Sequence, residues 1–355
     1  MKILLDNIIF YLQKRGGISV VWKELITRLL RDGYKCSFIE YGKTENIMRN
    51  GISIEKNNII NKSSTFLKIK RYFSLTVSSK EKFIFHSSYY RTCRNKAAIN
   101  ITTVHDFTYE YFMKNRGLAY YIHIWQKYKA IRKSDYIICI SENTKRDLLK
   151  FLPDINPDKI CVIYNGVSED YHKLNLINEE LLPFPLHSYL LFVGERGHHK
   201  NFIKIAKVIS ETNYNLVIVG SPLSKKELEL FKEVDPLRIK VCTGISNEQL
   251  NVLYNGALVF VYPSIYEGFG IPVLEAQKAG CPVIAYKGSS IPEIIGDTPL
   301  LLETLNEKEI IQKIDLLHDE KLRAKIVEQG IVNSERFSWE NTYKEVRNLY
   351  EQISK

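Results

Sequence analysis

Residues 262–276 read Tyr-Pro-Ser-Ile-Tyr-Glu-Gly-Phe-Gly-Ile-Pro-Val-Leu-Glu-Ala, a stretch that joins a strand to a helix through a glycine-rich loop. The apolar run before it predicts a buried strand that ends at about Tyr262. Pro272 suits a first helical turn, because its missing N–H would have no helical partner there. Gly268 and Gly270 permit a tight turn that lets backbone N–H groups approach a ligand, and the helix N-terminus favours negative charge. The stretch therefore predicts a binding loop for an anionic group.

Two glutamates flank these glycines. Glu267 lies on the loop, and Glu275 lies eight positions later, about one turn into the helix. We expect Glu267 to point into the mouth of a pocket and Glu275 to accept hydrogen bonds from a vicinal diol such as a ribose. The alternative for Glu275 is a glutamate that only interacts with the helix dipole.

The same strand–helix alternation extends in both directions along the chain. Short apolar runs predict buried parallel strands at residues 2–5, 83–85, 99–104, 136–140, 160–163, 189–193, 216–219, 258–262 and 282–285. Amphipathic segments predict helices at residues 18–31, 141–151, 201–211, 247–255, 308–328 and 338–355. This alternation predicts an α/β fold with parallel sheets. The polar stretch from Asn165 to about His187 divides the chain into two Rossmann-like domains, 1–165 and 166–338, with the ligand in the cleft between them.

A second loop carries the complementary charge. Residues 192–201 read Phe-Val-Gly-Glu-Arg-Gly-His-His-Lys-Asn and again follow a strand and precede a helix. Arg196 could hold a phosphate through its planar fork, and Lys200 could hold another as a compact charge. Equally, the two could be solvated basic residues that cap a turn.

The N-terminal half offers weaker candidates. The turn Arg15-Gly16-Gly17 could bring backbone amides to the cleft, or it could be a simple turn. His105 follows the run 99–104, and so lies at the carboxyl end of a strand, where α/β proteins bind ligands, although a structural role would also explain it. Residues 86–91 are polar and aromatic and would suit a sugar, and Ser141 would be a helix N-cap.

Composition and charge limit the classes of protein. The 355 residues are 45% hydrophobic and 25% charged, which excludes a disordered or fibrous chain. The formal charge of +10 is unevenly placed: residues 1–165 carry 29 Lys+Arg and 14 Asp+Glu, and residues 166–355 carry 21 and 26. A net +15 in the first half would suit a nucleic acid, an anionic membrane or an anionic small molecule.

Several other chemistries have no support. The chain has no P-loop, no His-Glu-x-x-His pair, no Gly-x-Ser-x-Gly elbow, no Gly-x-Gly-x-x-Gly fingerprint and no Asp-x-Asp pair, so we expect neither a metal nor another cofactor. The six scattered cysteines form no Cys-x-x-Cys pair and fit a reducing cytosol. We expect no signal peptide, and no run reaches the roughly 20 apolar residues that span a bilayer. The protein is expected in the cytoplasm, attached at most to the inner face of the cell membrane.

Taken in order, these segments resemble the retaining glycosyltransferases of family 4. That family has the GT-B fold, two Rossmann-like domains that face each other across a cleft, with a last helix, here 339–355, that crosses back to the N-terminal domain. The block of residues 262–276 is the most specific match. The shorter matches are Gly16-Gly17-Ile18, Val104-His105-Asp106, residues 140–145, 162–167, 193–201 and 243–250, Gly280 to Ile284, and Ser290 to Glu293.

The resemblance implies roles for the site residues. Arg196 and Lys200 would bind the donor diphosphate, Glu275 the ribose hydroxyls, and Glu267 would face the transferred sugar. The amides of Gly268, Phe269 and Gly270 would lie near the sugar and the phosphates. From the other domain, the amide of Gly17 would approach the diphosphate, and His105 would approach the sugar. The chain departs from the family in having His198-His199 where Arg or Pro often precedes the lysine.

By the same resemblance, residues 1–165 bind the acceptor and residues 166–338 the donor. The activity implied is transfer of a hexose or deoxyhexose from a UDP- or GDP-linked sugar to a glycan, lipid-linked in bacterial surface polysaccharide assembly. A basic acceptor domain could rest on an anionic membrane surface. Three alternatives are a sugar-nucleotide epimerase of the same fold, a nucleic-acid-binding protein, which lacks a recognisable module here, and a non-catalytic carbohydrate-binding relic.

Overall fold

The computed structural model describes residues 1–113 and 117–355, which form two compact units. Unit 1 comprises Met1–Asn165 together with Trp339–Lys355, and unit 2 comprises Gly166–Ser338. Each unit is built on one parallel sheet with helices between successive strands, so the predicted α/β class is confirmed.

The sheet of unit 1 has seven strands: β1 Lys2–Asp6, β2 Cys36–Glu40, β3 Ile59–Asn61, β4 Phe83–Ser87, β5 Ala98–Val104, β6 Tyr136–Cys139 and β7 Ile160–Val162. Their order is β3-β2-β1-β4-β5-β6-β7, and all pairs are parallel. Ile3 pairs with Cys36 on one side, and Lys2 pairs with Phe83 on the other. Strands β2 and β3 lie on one side of β1, and β5, β6 and β7 lie on the far side of β4, so the direction of the strand order reverses between β1 and β4. This position is the topological switch point of the unit.

Helices cover the faces of this sheet: α1 Ile9–Leu12, α2 Gly17–Arg31, α3 Ile47–Asn50, α4 Leu67–Lys70, α5 Thr108–Phe112, α6 Leu118–Lys133, α7 Glu142–Phe151 and, from the end of the chain, α15 Trp339–Ser354. The apolar faces of α2 and α15 share one core with the sheet. Arg31 holds α15 to α2 through Glu340, with Nη1 2.9 Å from Oε2. The C-terminal helix thus belongs to unit 1, as predicted.

Unit 2 has a six-stranded sheet: β8 Tyr189–Val193, β9 Asn215–Val219, β10 Ile239–Cys242, β11 Val259–Tyr262, β12 Val283–Tyr286 and β13 Leu301–Leu302. Its helices are α8 Phe202–Glu211, α9 Lys225–Glu229, α10 Asn247–Gly256, α11 Ile271–Lys278, α12 Ile291–Ile295, α13 Glu307–Asp315 and α14 Glu320–Ser334. The strand order β10-β9-β8-β11-β12-β13 places the switch point between β8 and β11. The two loops singled out from the sequence follow these two strands.

One helix prediction was wrong. The segment 308–328 is not a single helix, because α13 ends at Asp315 and a 3₁₀ turn, Leu316–His318, follows it. The side chain of Asp319 then accepts hydrogen bonds from the backbone N–H groups of Lys321 and Leu322 and starts α14 as its N-cap. Among the helices that the structure describes, none has the length and apolar character needed to cross a membrane.

Candidate functional site

An ion pair lies at the switch point of unit 2. Lys200 ends the 3₁₀ turn His198–Lys200 after β8, and Glu267 lies on the loop after β11. Lys200 Nζ is 2.6 Å from Glu267 Oε1 and also donates to the hydroxyl of Tyr262, at 3.1 Å. Both charged side chains are largely but not fully buried. Residues 67 positions apart in the chain therefore form one charged centre at the carboxyl ends of adjacent strands.

The surroundings of Lys200 keep it charged. Burial acts to lower its pKa, but the carboxylate of Glu267 and the hydroxyl of Tyr262 outweigh burial, and the pKa of Lys200 lies above its ordinary value. Burial and the carboxylate of Glu267 raise the pKa of Tyr262. The centre therefore presents an ammonium and a neutral phenol at physiological pH.

Backbone and serine hydrogen bonds fix the loop that carries Glu267. The N–H of Glu267 donates to Ser289 Oγ at 2.8 Å. The hydroxyl of Ser290, fully buried, lies within hydrogen-bond distance of the carbonyl oxygens of Glu267 (3.0 Å) and Phe269 (2.8 Å). Gly270 has a φ of 106°, and a Cβ there would lie 2.9 Å from Ile291 Cδ1, so this position requires glycine. Contacts within the chain therefore fix the conformation of this loop.

The two loops are also joined to each other directly. The N–H of Ile265 donates to the carbonyl oxygen of His199 at 2.8 Å. This bond ties the turn that carries Lys200 to the loop that carries Glu267, and it explains how the ion pair keeps its geometry.

Glu275 lies in α11, which follows the same loop. It is the fifth residue of the helix and is partly buried. Its Oε2 lies 3.3 Å from the hydroxyl of Tyr254, which donates to it. Burial and the carboxylate of Glu275 raise the pKa of Tyr254 well above its ordinary value, so the phenol remains a donor.

Arg196 is held by partners that the sequence did not reveal. Its Nε is 2.5 Å from Glu227 Oε1, and its Nη2 donates to the carbonyl oxygens of Ser221 and Pro222, both at 2.9 Å. Burial tends to raise the pKa of Glu227, but hydrogen bonds from Arg196 and Ser224 outweigh it and lower the pKa to about 2. Arg196 Nη1 is buried and has no hydrogen-bond partner among the described residues. The phosphate contact predicted for Arg196 stays a prediction.

In unit 1, Gly17 and His105 occupy the places predicted from the sequence. Gly17 is the first residue of α2, after the N-cap Gly16, and His105 directly follows β5. Burial lowers the pKa of His105 to about 4, an effect that Asp106 opposes and Lys127 reinforces. Neutral imidazole is therefore its form at pH 7. The roles of Gly17 and His105 toward a donor stay predictions.

A buried ion pair supports the loop after β5. Lys127 Nζ lies 2.8 Å from Glu110 Oε1 and donates to the carbonyl oxygen of Asp106 at 2.5 Å. The same ammonium lies 3.6 Å from the ring centroid of Phe107. Behind this loop, His86 bonds Tyr350 of α15 through Nδ1 at 2.6 Å and Thr103 through Nε2 at 2.9 Å. Lys127 thus anchors the loop that carries His105, and His86 anchors the strand before it.

The structure brings two of the predicted residues of unit 2 into direct contact. Lys200 and Glu267 touch, and Gly268, Phe269 and Gly270 lie on the loop between Glu267 and α11. The sequence analysis missed the side chains that orient these residues, which are Tyr254, Tyr262, Ser289, Ser290 and Glu227. Two signals could have identified some of them: Tyr262 lies at a predicted strand end, and Ser290 begins a segment that matches the family.

Comparison with known families covers most of the chain. The model of the family described as Glycosyl transferases group 1 matches residues 179–332, and that of Glycosyltransferase Family 4 matches residues 15–171. The first match contains every predicted residue of unit 2, and the second contains Gly17 and His105.

Two curated relatives are named as O-antigen chain mannosyltransferases. The O-antigen chain mannosyltransferase B of Escherichia coli is 26% identical over 293 residues, which are 76% of this chain and 74% of the relative. The O-antigen chain mannosyltransferase RfbU of Salmonella typhimurium is 28% identical over 260 residues, 71% of this chain and 62% of the relative. The chain thus spans less than two thirds of the second relative.

Solved structures share the fold over the whole chain. The sucrose-phosphate synthase from Thermosynechococcus elongatus superposes with a TM-score of 0.77 at 17% identity, covering 99% of both chains. Anabaena Alr3699/HepE in complex with UDP-glucose superposes with a TM-score of 0.73 at 14% identity, covering 99% of this chain and 100% of the other. The ordered motifs, the two sheets and both family matches agree, and the chain belongs to the family 4, group 1 glycosyltransferases and has their GT-B fold.

Proposed function

We propose that the protein transfers a hexosyl or deoxyhexosyl group from a UDP- or GDP-linked sugar to a glycan acceptor. The observation that carries this proposal is the Lys200–Glu267 pair, 2.6 Å apart, at the switch point of unit 2. An ammonium suits the diphosphate of the donor, and a carboxylate next to it suits the hydroxyls of the sugar. Family membership supports the reaction class.

Lys200 is proposed to bind the diphosphate and to stabilise the leaving nucleotide. An ammonium has three N–H donors, and Lys200 uses two of them here, toward Glu267 and Tyr262. The third can donate to a phosphate oxygen. Charge that develops on the leaving diphosphate is then offset by a cation already held in place. On this proposal the reaction needs no metal.

Glu275 is proposed to hold the ribose. Its carboxylate can accept hydrogen bonds from two vicinal hydroxyls, and the bond from Tyr254 fixes the orientation of one oxygen. Glu267 would face the transferred sugar, and the amides of Gly268, Phe269 and Gly270 would line sugar and phosphate. Because Ser290 already holds this loop, binding would require little ordering of its backbone.

Three further residues have proposed supporting roles. Arg196 would contribute to the diphosphate through Nη1, the buried nitrogen with no partner among the described residues. The amide of Gly17 would approach the diphosphate. His105, neutral at pH 7, would exchange a hydrogen bond with a sugar hydroxyl and would not act as a cation.

For the sugar and acceptor, we propose a mannosyl donor and a lipid-linked glycan in bacterial surface polysaccharide assembly, such as O-antigen or capsule. The names of the two O-antigen mannosyltransferase relatives support this choice. We further propose retention of anomeric configuration by attack on the same face of the sugar, without a protein nucleophile. The place of action would be the cytoplasmic face of the cell membrane.

A panel of nucleotide sugars, measured by thermal shift with and without EDTA, tests the donor. One donor should raise the melting temperature clearly above the rest, with no change when EDTA is present, because a ligand that binds the folded state stabilises it. NMR of the reaction with that donor and a lipid-linked glycan should show a product with the anomeric configuration of the donor. A new nucleotide sugar formed without any acceptor would instead support an epimerase, and no stabilisation by any donor would contradict the proposal.

A further inference from the structure

A fully buried ion pair lies next to the loop that follows β5. Lys127 of α6 and Glu110 of α5 are each 1% exposed, and Lys127 Nζ lies 2.8 Å from Glu110 Oε1. Lysine and glutamate side chains are almost never this deeply buried, because an ammonium and a carboxylate lose their hydration in the interior. The pair therefore needs an explanation beyond the packing of two helices.

The pair has few of the hydrogen bonds that offset such burial. In a second buried pair of unit 1, Asp6 lies 3.2 Å from Arg91 Nη1 and also accepts hydrogen bonds from two hydroxyl groups, at 2.8 and 3.0 Å. Within the described part of the chain, Glu110 has Lys127 as its only ion-pair partner, and no hydroxyl donates to its carboxylate. Replacing such a pair by apolar side chains of similar volume often leaves a protein equally or more stable, so stability does not explain this pair.

The ammonium of Lys127 also contacts the loop itself. It donates a hydrogen bond to the carbonyl oxygen of Asp106 at 2.5 Å. Its Nζ lies 3.6 Å from the ring centroid of Phe107. One buried cation thus contacts both of the residues that directly follow His105.

The partner of this cation extends the contact to α5. Glu110 lies in the middle of that short helix, and Lys127 holds it from α6. One turn before Lys127, the ring of His123 stacks on Tyr109 of α5, with ring centroids 4.0 Å apart. Helix α6 therefore holds α5 at two places, and Lys127 alone joins α6 to both α5 and the backbone before it.

Each partner opposes the loss of charge that burial imposes on the other. Burial lowers the pKa of Lys127, and the carboxylates of Glu110 and Asp106 act against this effect. Burial raises the pKa of Glu110, and the ammonium of Lys127 acts against it. Removal of one partner would therefore leave the other buried without its counter-charge.

We infer that Lys127 is a positioning residue for the transfer reaction: its ammonium, held by Glu110, fixes the loop that begins with His105. This inference deepens the proposed function and rests on it for the contact of His105 with the donor sugar. Displacement of such a group lowers the rate, because catalysis requires groups held close to their reacting geometry. The nucleotide is proposed to bind through Lys200 and Glu275, so loss of Lys127 should lower kcat and leave the KM for the donor nearly unchanged.

The most direct variant replaces both charges by apolar side chains. Lys127→Met alone leaves Glu110 buried without a cation and should lower the melting temperature by roughly 10 °C. Lys127→Met with Glu110→Met should restore it to the wild-type value or above, because no buried charge remains. The double variant should still have a kcat about tenfold or more below wild type, since the Asp106 carbonyl has lost its donor. A pair with a structural role alone would recover kcat together with stability.

A second ion pair on the same helix provides the control. Arg132 of α6 pairs with Asp154, and both side chains are about half exposed. Exposed pairs contribute little to stability, so Arg132→Gln with Asp154→Asn should keep both the melting temperature and kcat close to wild type.

Hydrogen–deuterium exchange without any substrate tests the loop separately from the reaction. In the Lys127→Met, Glu110→Met variant, the amides of residues 106–112 should exchange faster than in wild type, because they have lost the contact that holds them. The amides of β1, on another part of the sheet, should exchange as in wild type.

Two results would overturn the inference. One is a double variant with both the melting temperature and the kcat of wild type. The other is unchanged exchange at residues 106–112 in that variant. A wild-type protein that transfers from no donor would instead contradict the proposed function, and the exchange measurement would still decide whether Lys127 fixes the loop.

Discussion

The two units share one architecture and differ in what their loops present. Each has a parallel sheet with a switch point, between β1 and β4 in unit 1 and between β8 and β11 in unit 2. At the switch point of unit 2 the sheet edge carries a largely buried lysine–glutamate pair, whereas unit 1 holds neutral histidines on β4 and on the loop after β5. The fold thus supplies the place for a site, and the loop residues supply its chemistry.

The charge difference follows the same division. The C-terminal helix segment, residues 339–355, adds three basic and three acidic residues to unit 1, which therefore keeps its net +15 against −5 for unit 2. The cation of the unit 2 site is local: Lys200, paired with Glu267, lies in an otherwise acidic unit. In unit 1 most of the excess positive charge falls within one part of the sequence, residues 57–134, which contain 15 Lys+Arg and three acidic residues.

Acid should destabilise unit 1 most strongly. Burial lowers the pKa of His86 to about 3 and those of His105 and His123 to about 4, all below the ordinary 6.5. The unfolded chain therefore binds more protons below pH 6.5, and stability falls as the pH drops from 6.5 toward 4. At pH 5 each histidine should cost up to about 2 kcal/mol. All three tryptophans lie in unit 1, so urea unfolding followed by their fluorescence at pH 7 and pH 5 measures this unit.

The control for the acid prediction is the stability of unit 1 between pH 7 and pH 8. Between pH 7 and 8 the three imidazoles are largely neutral in both states, so stability should change far less there than between pH 7 and 5. An unfolding midpoint that is the same at pH 5 and pH 7 would contradict burial of neutral histidines in unit 1.

Loss of the lysine in unit 2 should mainly affect donor binding. Lys200→Ala removes a charge-assisted contact worth about 1.5–3 kcal/mol, which corresponds to a donor affinity about 10- to 100-fold weaker by calorimetry. The control is Lys204→Ala, which also loses an ion pair, to Glu307 at 3.1 Å, away from the loop. If both variants bind the donor alike, the role of Lys200 is wrong.

Two buried serines distinguish the effect of fixing the Glu267 loop from the effect of removing any buried hydroxyl. Ser290→Ala leaves the carbonyl oxygens of Glu267 and Phe269 without that hydroxyl and should destabilise the protein by about 1–3 kcal/mol while weakening donor binding. Ser264→Ala removes a buried hydroxyl with no hydrogen-bond partner in the described residues and should cost far less. Thermal unfolding and donor titration of both variants test this, and equal effects would argue against the serine clamp.

The smallest effect concerns the C-terminal helix. Tyr350→Phe removes the partner of His86 Nδ1 and should lower the stability of unit 1 by about 1 kcal/mol. Tyr128→Phe serves as control, because no described residue forms a hydrogen bond with the Tyr128 hydroxyl. Tryptophan fluorescence during urea unfolding compares them, and a Tyr350→Phe midpoint equal to wild type would show that the bond contributes nothing.

Local sequence signals predicted much of the fold. Apolar runs such as 189–193 became strands with the same limits, because buried parallel strands need continuous apolar residues. The glycine-rich loop and the start of α11 were also predictable, since Pro272 and Gly270 act on their own backbone. The split between α13 and α14 was missed because one side chain, Asp319, decides it against the helical pattern around it.

Contacts between distant residues could not be predicted. Nothing near Lys200 in the sequence indicates Glu267, and nothing near Arg196 indicates Glu227, 31 positions away. These pairs form because neighbouring strands end at the same edge of the sheet. Neither segment by itself indicates which strands are neighbours. The family resemblance supplied a set of residues, and the structure supplied their partners.

Hydrogen–deuterium exchange with and without the best-binding nucleotide sugar tests the central claim, that the donor site lies at the switch point of unit 2. The account predicts slower exchange at residues 194–201 and 263–275, with little change at residues 57–134. Protection confined to residues 57–134, or none in the two unit 2 loops at saturating donor, would contradict it.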